Sequence, residues 1–119
     1  MRNFRDLEVW KCSVNLVKKI YIITGTFPNE EKFGLVSQIN RCSVSIPSNI
    51  AEGCSRSSQK DFSRFLQISL GSSFELETQI EIAKEIGFIN EELYLDVILE
   101  LNSIQKRIQS LKKYVDSKV

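Results

Sequence analysis

Apolar residues recur at three- and four-residue spacing in four stretches of the chain, the period of one face of an α-helix. The first stretch carries two such stripes. Leu7, Trp10, Val14, Val17 and Tyr21 form one, and Val9, Leu16, Ile20 and Ile23 form a second on another flank. One stripe suffices for a bundle core, so the second flank is expected to be buried against another subunit. This helix is predicted to begin near Asp6, whose carboxylate is suited to cap it, and to end at Thr24-Gly25-Thr26. Phe27-Pro28-Asn29 then turns the chain, and Glu30 and Glu31 favour the positive end of a second helix dipole.

The second stripe, Val36, Ile39, Cys42, Ile46 and Ile50, has Pro47 set inside it. A proline there removes one N–H and crowds the Ser43 carbonyl, so a kinked helix is expected. The hydroxyls of Ser43, Ser45 and Ser48 are placed to bond backbone groups that the kink leaves free. Gly53 is expected to end this helix in a left-handed cap. Ser58 to Asp61 has capping-box spacing and starts a long third helix that Gly87 ends. Its middle, Ser69 to Ser73, is small and permits close approach of the second helix. Asn90 caps a fourth helix, with Ile89 placed to staple onto Tyr94. Tyr94, Val97, Leu101, Ile104, Ile108, Leu111 and Val115 give that helix an uninterrupted seam. The chain is therefore read as a single all-α domain, 1–119. Its expected form is an antiparallel up-down-up-down four-helix bundle with a proline-kinked second helix.

Composition changes this picture mainly by exclusion. Histidine is absent, which removes imidazole bases, imidazole ligands and every triad that needs one. Glu77 and Glu81 lie at i, i+4, but a carboxylate bundle site for two metals also needs histidines, so no metal or other cofactor is expected. The three cysteines, Cys12, Cys42 and Cys54, fit neither a disulfide framework nor a zinc site. No nucleophile–base pair or Gly-rich phosphate loop is present, so an enzyme is not expected. No secretory signal is visible and the longest apolar run is short, so a cytoplasmic protein with no membrane partner is expected.

Net charge is only +1, yet it is zoned. Residues 75–100 carry eight acids against Lys84 alone, while residues 101–119 carry five Lys/Arg against one acid. Arg56, Lys60 and Arg64 flank the start of the third helix and, with Lys18 and Lys19, are the candidate phosphate contacts. The bland reading of each is a solvated surface cation. Gln38, Arg41, Asn49, Glu52, Glu75, Glu77 and Gln79 form a second polar set. A register-fixing network, with Arg41 paired to a carboxylate of the third helix, accounts for it more simply than a functional site.

Several segments together carry a family resemblance. They are FRDLxVW at 4–10, Gly34-Leu35 with Gln38 and Arg41, SIPSNIAEG at 45–53, FxRFL at 62–66 and GSxxExExQ at 71–79. With these the chain resembles the four-helix-bundle proteins encoded in intervening sequences of bacterial 23S rRNA genes. The same fold includes the accessory protein of diversity-generating retroelements. The resemblance implies a ring-like homo-oligomer, most often a pentamer, and nucleic-acid association for some members through basic residues. It implies no enzymatic activity. The partners it suggests are the chain itself, RNA or DNA, and a reverse transcriptase or other protein. The resulting expectation is a non-enzymatic assembly or adaptor module that binds RNA or DNA electrostatically. The rival is a purely protein-binding scaffold.

Overall fold

The computed structural model describes residues 2–119 and is all-helical. Four helices follow in order: α1 (Glu8–Thr24), α2 (Leu35–Cys54), α3 (Gln59–Glu85) and α4 (Glu91–Asp116), with 3₁₀ turns at Phe4–Asp6 and Asn29–Glu31. The starts of α1 and α2 depart a little from the sequence expectation, each for a local reason. Asp6 does not cap α1. It closes a 3₁₀ turn whose own cap is Asn3, and the extended Leu7 precedes α1. Glu30 and Glu31 form a separate 3₁₀ turn, and α2 begins only after Gly34. The stronger caps hold as read: Ser58 Oγ accepts from the Asp61 N–H at 3.1 Å, and Asn90 Oδ1 from the Leu93 N–H at 2.8 Å.

Gly87 adopts φ +87°. The Phe88 N–H reaches back to the Ala83 carbonyl and the Gly87 N–H to that of Lys84, which is the Schellman pattern. Gly53 is different. It is helical, and α2 ends one residue later. A Cβ at Gly53 would stand 2.8 Å from Phe62 Cδ1 and 3.0 Å from Phe65 Cβ. The glycine is there so that α2 can approach the first turns of α3.

Bonds between helices fix their directions. Ser45 bonds Ser72, the Ile46 carbonyl accepts from Ser69, and Cys42 contacts Glu75, so α3 descends as α2 rises. Ser63 with Asp116, Glu77 with Gln105 and Glu81 with Tyr94 give the same opposite sense for α3 and α4. Arg2 over the Tyr114 ring and Lys19 with Asp96 set α1 against α4. The molecule is 45 Å long and roughly half as wide. Leu16, Ile20, Ile39, Ile46, Ile50, Leu66, Leu76, Ile80, Leu101, Ile104 and Ile108 are almost fully buried and fill the axis. Each contributes about 1.5–3 kcal/mol by its removal from water.

One expectation is reversed. Val9, Leu16, Ile20 and Ile23, read as an oligomer flank, are 0–5 % exposed and form the protomer's own core. Leu7, Trp10, Val14 and Val17 are only half-buried, and Tyr21 is exposed. Both stripes satisfy the helical period. The inner one is the flank continued by Ser13, whose hydroxyl is satisfied by the Val9 carbonyl at 2.6 Å and so enters the core without penalty. α2 continues through the buried Pro47 to Cys54. Of the serines near it, Ser43 bonds the Asn40 carbonyl, whereas Ser45 is used between helices rather than on the backbone.

Candidate nucleic-acid interface

At one end of the bundle the N-terminal segment, the α2–α3 turn and the end of α4 meet. Arg56, at the turn, is tethered to Glu52 at 3.2 Å, and its guanidinium lies 4.7 Å from the Phe65 ring centre. Arg64, one turn into α3, lies 4.6 Å from the same ring and 3.9 Å from Asp61. Lys60 is exposed between them and makes no ion pair among the described residues. Both arginine pairs are solvent-exposed, so each holds its cation weakly and a phosphate can compete for it. Arg2 joins the group from the N-terminal segment, with its guanidinium 5.0 Å from the Phe62 ring centre and 5.8 Å from that of Tyr114. Arg5 sits over Phe4 and Trp10 at 5.3 and 5.8 Å.

The structure thus gathers Arg56, Lys60 and Arg64, and it adds Arg2 and Arg5. The neighbouring pairs Phe4-Arg5 and Arg64-Phe65 are the one signal in the sequence that points to these aromatic partners. Lys18 and Lys19 do not belong to this end. Lys19 is held by Glu100 at 2.7 Å and Asp96 at 2.9 Å, and those two bonds, Glu100 first, push its ammonium pKa up. Asp96 and Asp116 are 20 residues apart on α4, about 30 Å at the helical rise. Lys18 is exposed beside Lys19.

The second polar set divides in two. Gln38, Arg41, Glu75 and Gln79 line a groove of about 320 Å³ between α2 and α3, with Cys42, Ser45 and Ser72 at its floor. Ser45 Oγ and Ser72 Oγ are 2.9 Å apart, and Asn49 Nδ2 donates to the Ser45 carbonyl and hydroxyl at 2.8 and 2.9 Å. Gln79 Nε2 donates to Cys42 Sγ at 3.4 Å, and Cys42 Sγ lies 3.8 Å from Glu75 Oε2. Burial pushes the Cys42 thiol pKa up, which keeps it the donor in that last contact. The expected Arg41–carboxylate pair is absent among the described residues, because Arg41 stands exposed at the rim. Glu77 lies on the other side of α3, where it accepts from Gln105 of α4 at 2.9 Å. Glu52 faces solvent with Arg56. The Ser45–Ser72, Gln79–Cys42, Cys42–Glu75 and Gln105–Glu77 contacts join neighbouring helices, whereas Asn49 and Glu52 bond within α2 and the turn that follows it.

Among the described residues no group of three or more His, Cys, Asp or Glu is placed to hold a metal ion. No helix of the described residues is long and apolar enough to cross a membrane. Fold and surface together define a small all-helical bundle protein whose distinguishing feature is a charged, aromatic end. The family model for the 23S rRNA-intervening sequence protein matches residues 5–110, and the chain belongs to that family. It is similar over 88 % of its length to 95 % of a solved protein of unknown function from Bacteroides thetaiotaomicron VPI-5482, assigned to the S23 ribosomal protein family, with 29 % identity and a TM-score of 0.82. No curated protein matches the chain. Neither similarity indicates a catalytic family.

Proposed function

We propose that the protein is a non-enzymatic, self-assembling helical-bundle module that holds RNA or DNA by its phosphates at the end where α2 meets α3. The observation that carries this reading is the convergence there of Arg2 and Arg5 with Arg56, Lys60 and Arg64, from two separate chain segments whose cations are at most loosely paired. In a ring of identical subunits, the pentamer that the family resemblance implies, each subunit repeats the cluster, so weak contacts add through multivalency. A reverse transcriptase or another nucleic-acid enzyme is the kind of protein such a module would serve.

The test is binding to a mixed RNA and DNA panel across a salt series. Replacing Arg56, Lys60 and Arg64 with Ser weakens binding about equally for all sequences and reduces the salt slope by about 2–3, since phosphates carry no sequence information. A wild-type protein that binds neither RNA nor DNA at low salt would rule the reading out. In that event the exposed Ile68, Phe74 and Ile82 along α3 favour the protein-binding scaffold.

A further inference from the structure

A shallow trough of about 620 Å³ opens between Phe4 and Phe65, floored by the α2 residues Ser48, Asn49 and Glu52. Its walls are aromatic and fixed. Phe4 is held edge-on against Trp10 at 5.1 Å between ring centres. Phe65 is backed by Gly53, whose missing side chain lets the ring's Cβ come within 3.0 Å of where a methyl group would be. The floor is polar and mostly accepting. Both side-chain hydrogen bonds that Asn49 makes among the described residues are donated by Nδ2, to Ser45, which leaves Oδ1 to accept. Ser55 spends its proton on the Glu52 carbonyl at 2.7 Å, and the Glu52 carboxylate accepts from Arg56. Guanidiniums stand over both walls, Arg5 at Phe4, and Arg56 and Arg64 at Phe65.

We infer that this trough receives one unstacked nucleobase, so that the nucleic acid held at this end is single-stranded. The inference rests on the proposed function and deepens it. A duplex buries its base faces and presents only phosphates and base edges, for which aromatic walls serve no stacking purpose. A single strand offers a π-face every nucleotide, and stacking on an aromatic ring beside an arginine is how strands of any sequence are gripped. The accepting floor adds a preference. Adenine and cytosine carry an exocyclic amino group that can donate to Asn49 Oδ1 or Glu52, whereas uracil and thymine present carbonyls there.

The experiment compares labelled 20-nucleotide single strands with the duplex of the same sequence by fluorescence anisotropy, using the full chain, wild type and Phe65→Leu. Leucine keeps apolar volume against Gly53 and removes the ring. The wild type is expected to prefer the single strand, and oligo(A) or oligo(C) over oligo(U). Phe65→Leu is expected to lose about tenfold in single-strand affinity with duplex binding unchanged. Phe4→Leu, on the opposite wall, gives the same readout if Phe65→Leu does not fold. Equal wild-type affinity for strand and duplex, or unchanged binding by both leucine variants, overturns the trough while the phosphate reading stands. Binding to neither form removes both.

Discussion

Gly53 shows how much one missing methyl group decides. In isolation a glycine near a helix end reads as a left-handed cap, and that reading suits Gly87, which adopts φ +87°. At Gly53 the information lies in Phe62 and Phe65, nine and twelve residues on, which only the folded pairing of α2 with α3 brings alongside. Adding a methyl group within a helix ordinarily gains about 0.5–1 kcal/mol in propensity. Forcing one against the buried Phe62 ring costs about 1–3 kcal/mol, and the second effect is the larger. Gly71 is the control, since a Cβ there meets nothing within 4 Å. Gly53→Ala is therefore expected to lower the urea midpoint and Gly71→Ala to raise it by the helical gain. Two midpoints that both rise would mean that propensity alone governs both sites.

The elements themselves were largely legible, because period and caps are local. Ser58, Asn90 and Gly87 act where the sequence puts them, and the seam of α4 is buried at Val97, Leu101, Ile104, Ile108 and Val115. The two stripes of α1 were not separable, since each obeys the same period and only the neighbours choose between them. Side-chain bonds between elements were equally hidden. The Ser63 hydroxyl bonds the Asp116 carboxylate 53 residues later, tying the end of α4 to the start of α3. That bond, and then Lys112 at 2.9 Å, hold the Asp116 carboxyl below its usual range. A depressed carboxyl pKa stabilises the fold above the ordinary Asp value of about 4 and stops doing so as pH falls through the folded-state value. Asp116→Asn is expected to melt below wild type at pH 7, with the difference closing as the pH drops below about 4. A gap that stays constant down to pH 2.5 would show that the charge of Asp116 does not matter.

At the scale of the whole molecule the near-zero net charge conceals an electric dipole along the 45 Å axis. Residues 2–11, 52–64 and 106–118, which meet at one end, carry eleven Lys/Arg against five Asp/Glu. Residues 18–32 and 81–100, towards the other, carry four against eight. The zoning was visible in the sequence. Its convergence was not, since it depends on which termini the antiparallel helices bring together. The dipole makes a demand on the proposed assembly. Protomers aligned side by side in a ring set basic end beside basic end and acidic beside acidic, so charge opposes the ring. Apolar contact has to hold it, and Ile68, Phe74 and Ile82 supply exposed apolar surface along α3 at 41, 47 and 44 %. Antiparallel or end-to-end pairing would instead be held by charge. The two are separated by salt, because screening weakens repulsion and attraction alike. The ring is expected to persist or tighten between 50 and 500 mM salt in sedimentation velocity, while nucleic-acid binding weakens over the same range. Phe74→Ser with Ile82→Ser is expected to release monomers, and Arg56, Lys60 and Arg64 to Ser to leave the assembly whole. An oligomer that dissolves as salt is raised would mean that the charged zones are themselves the subunit contact, and the basic end would then not be free for phosphates.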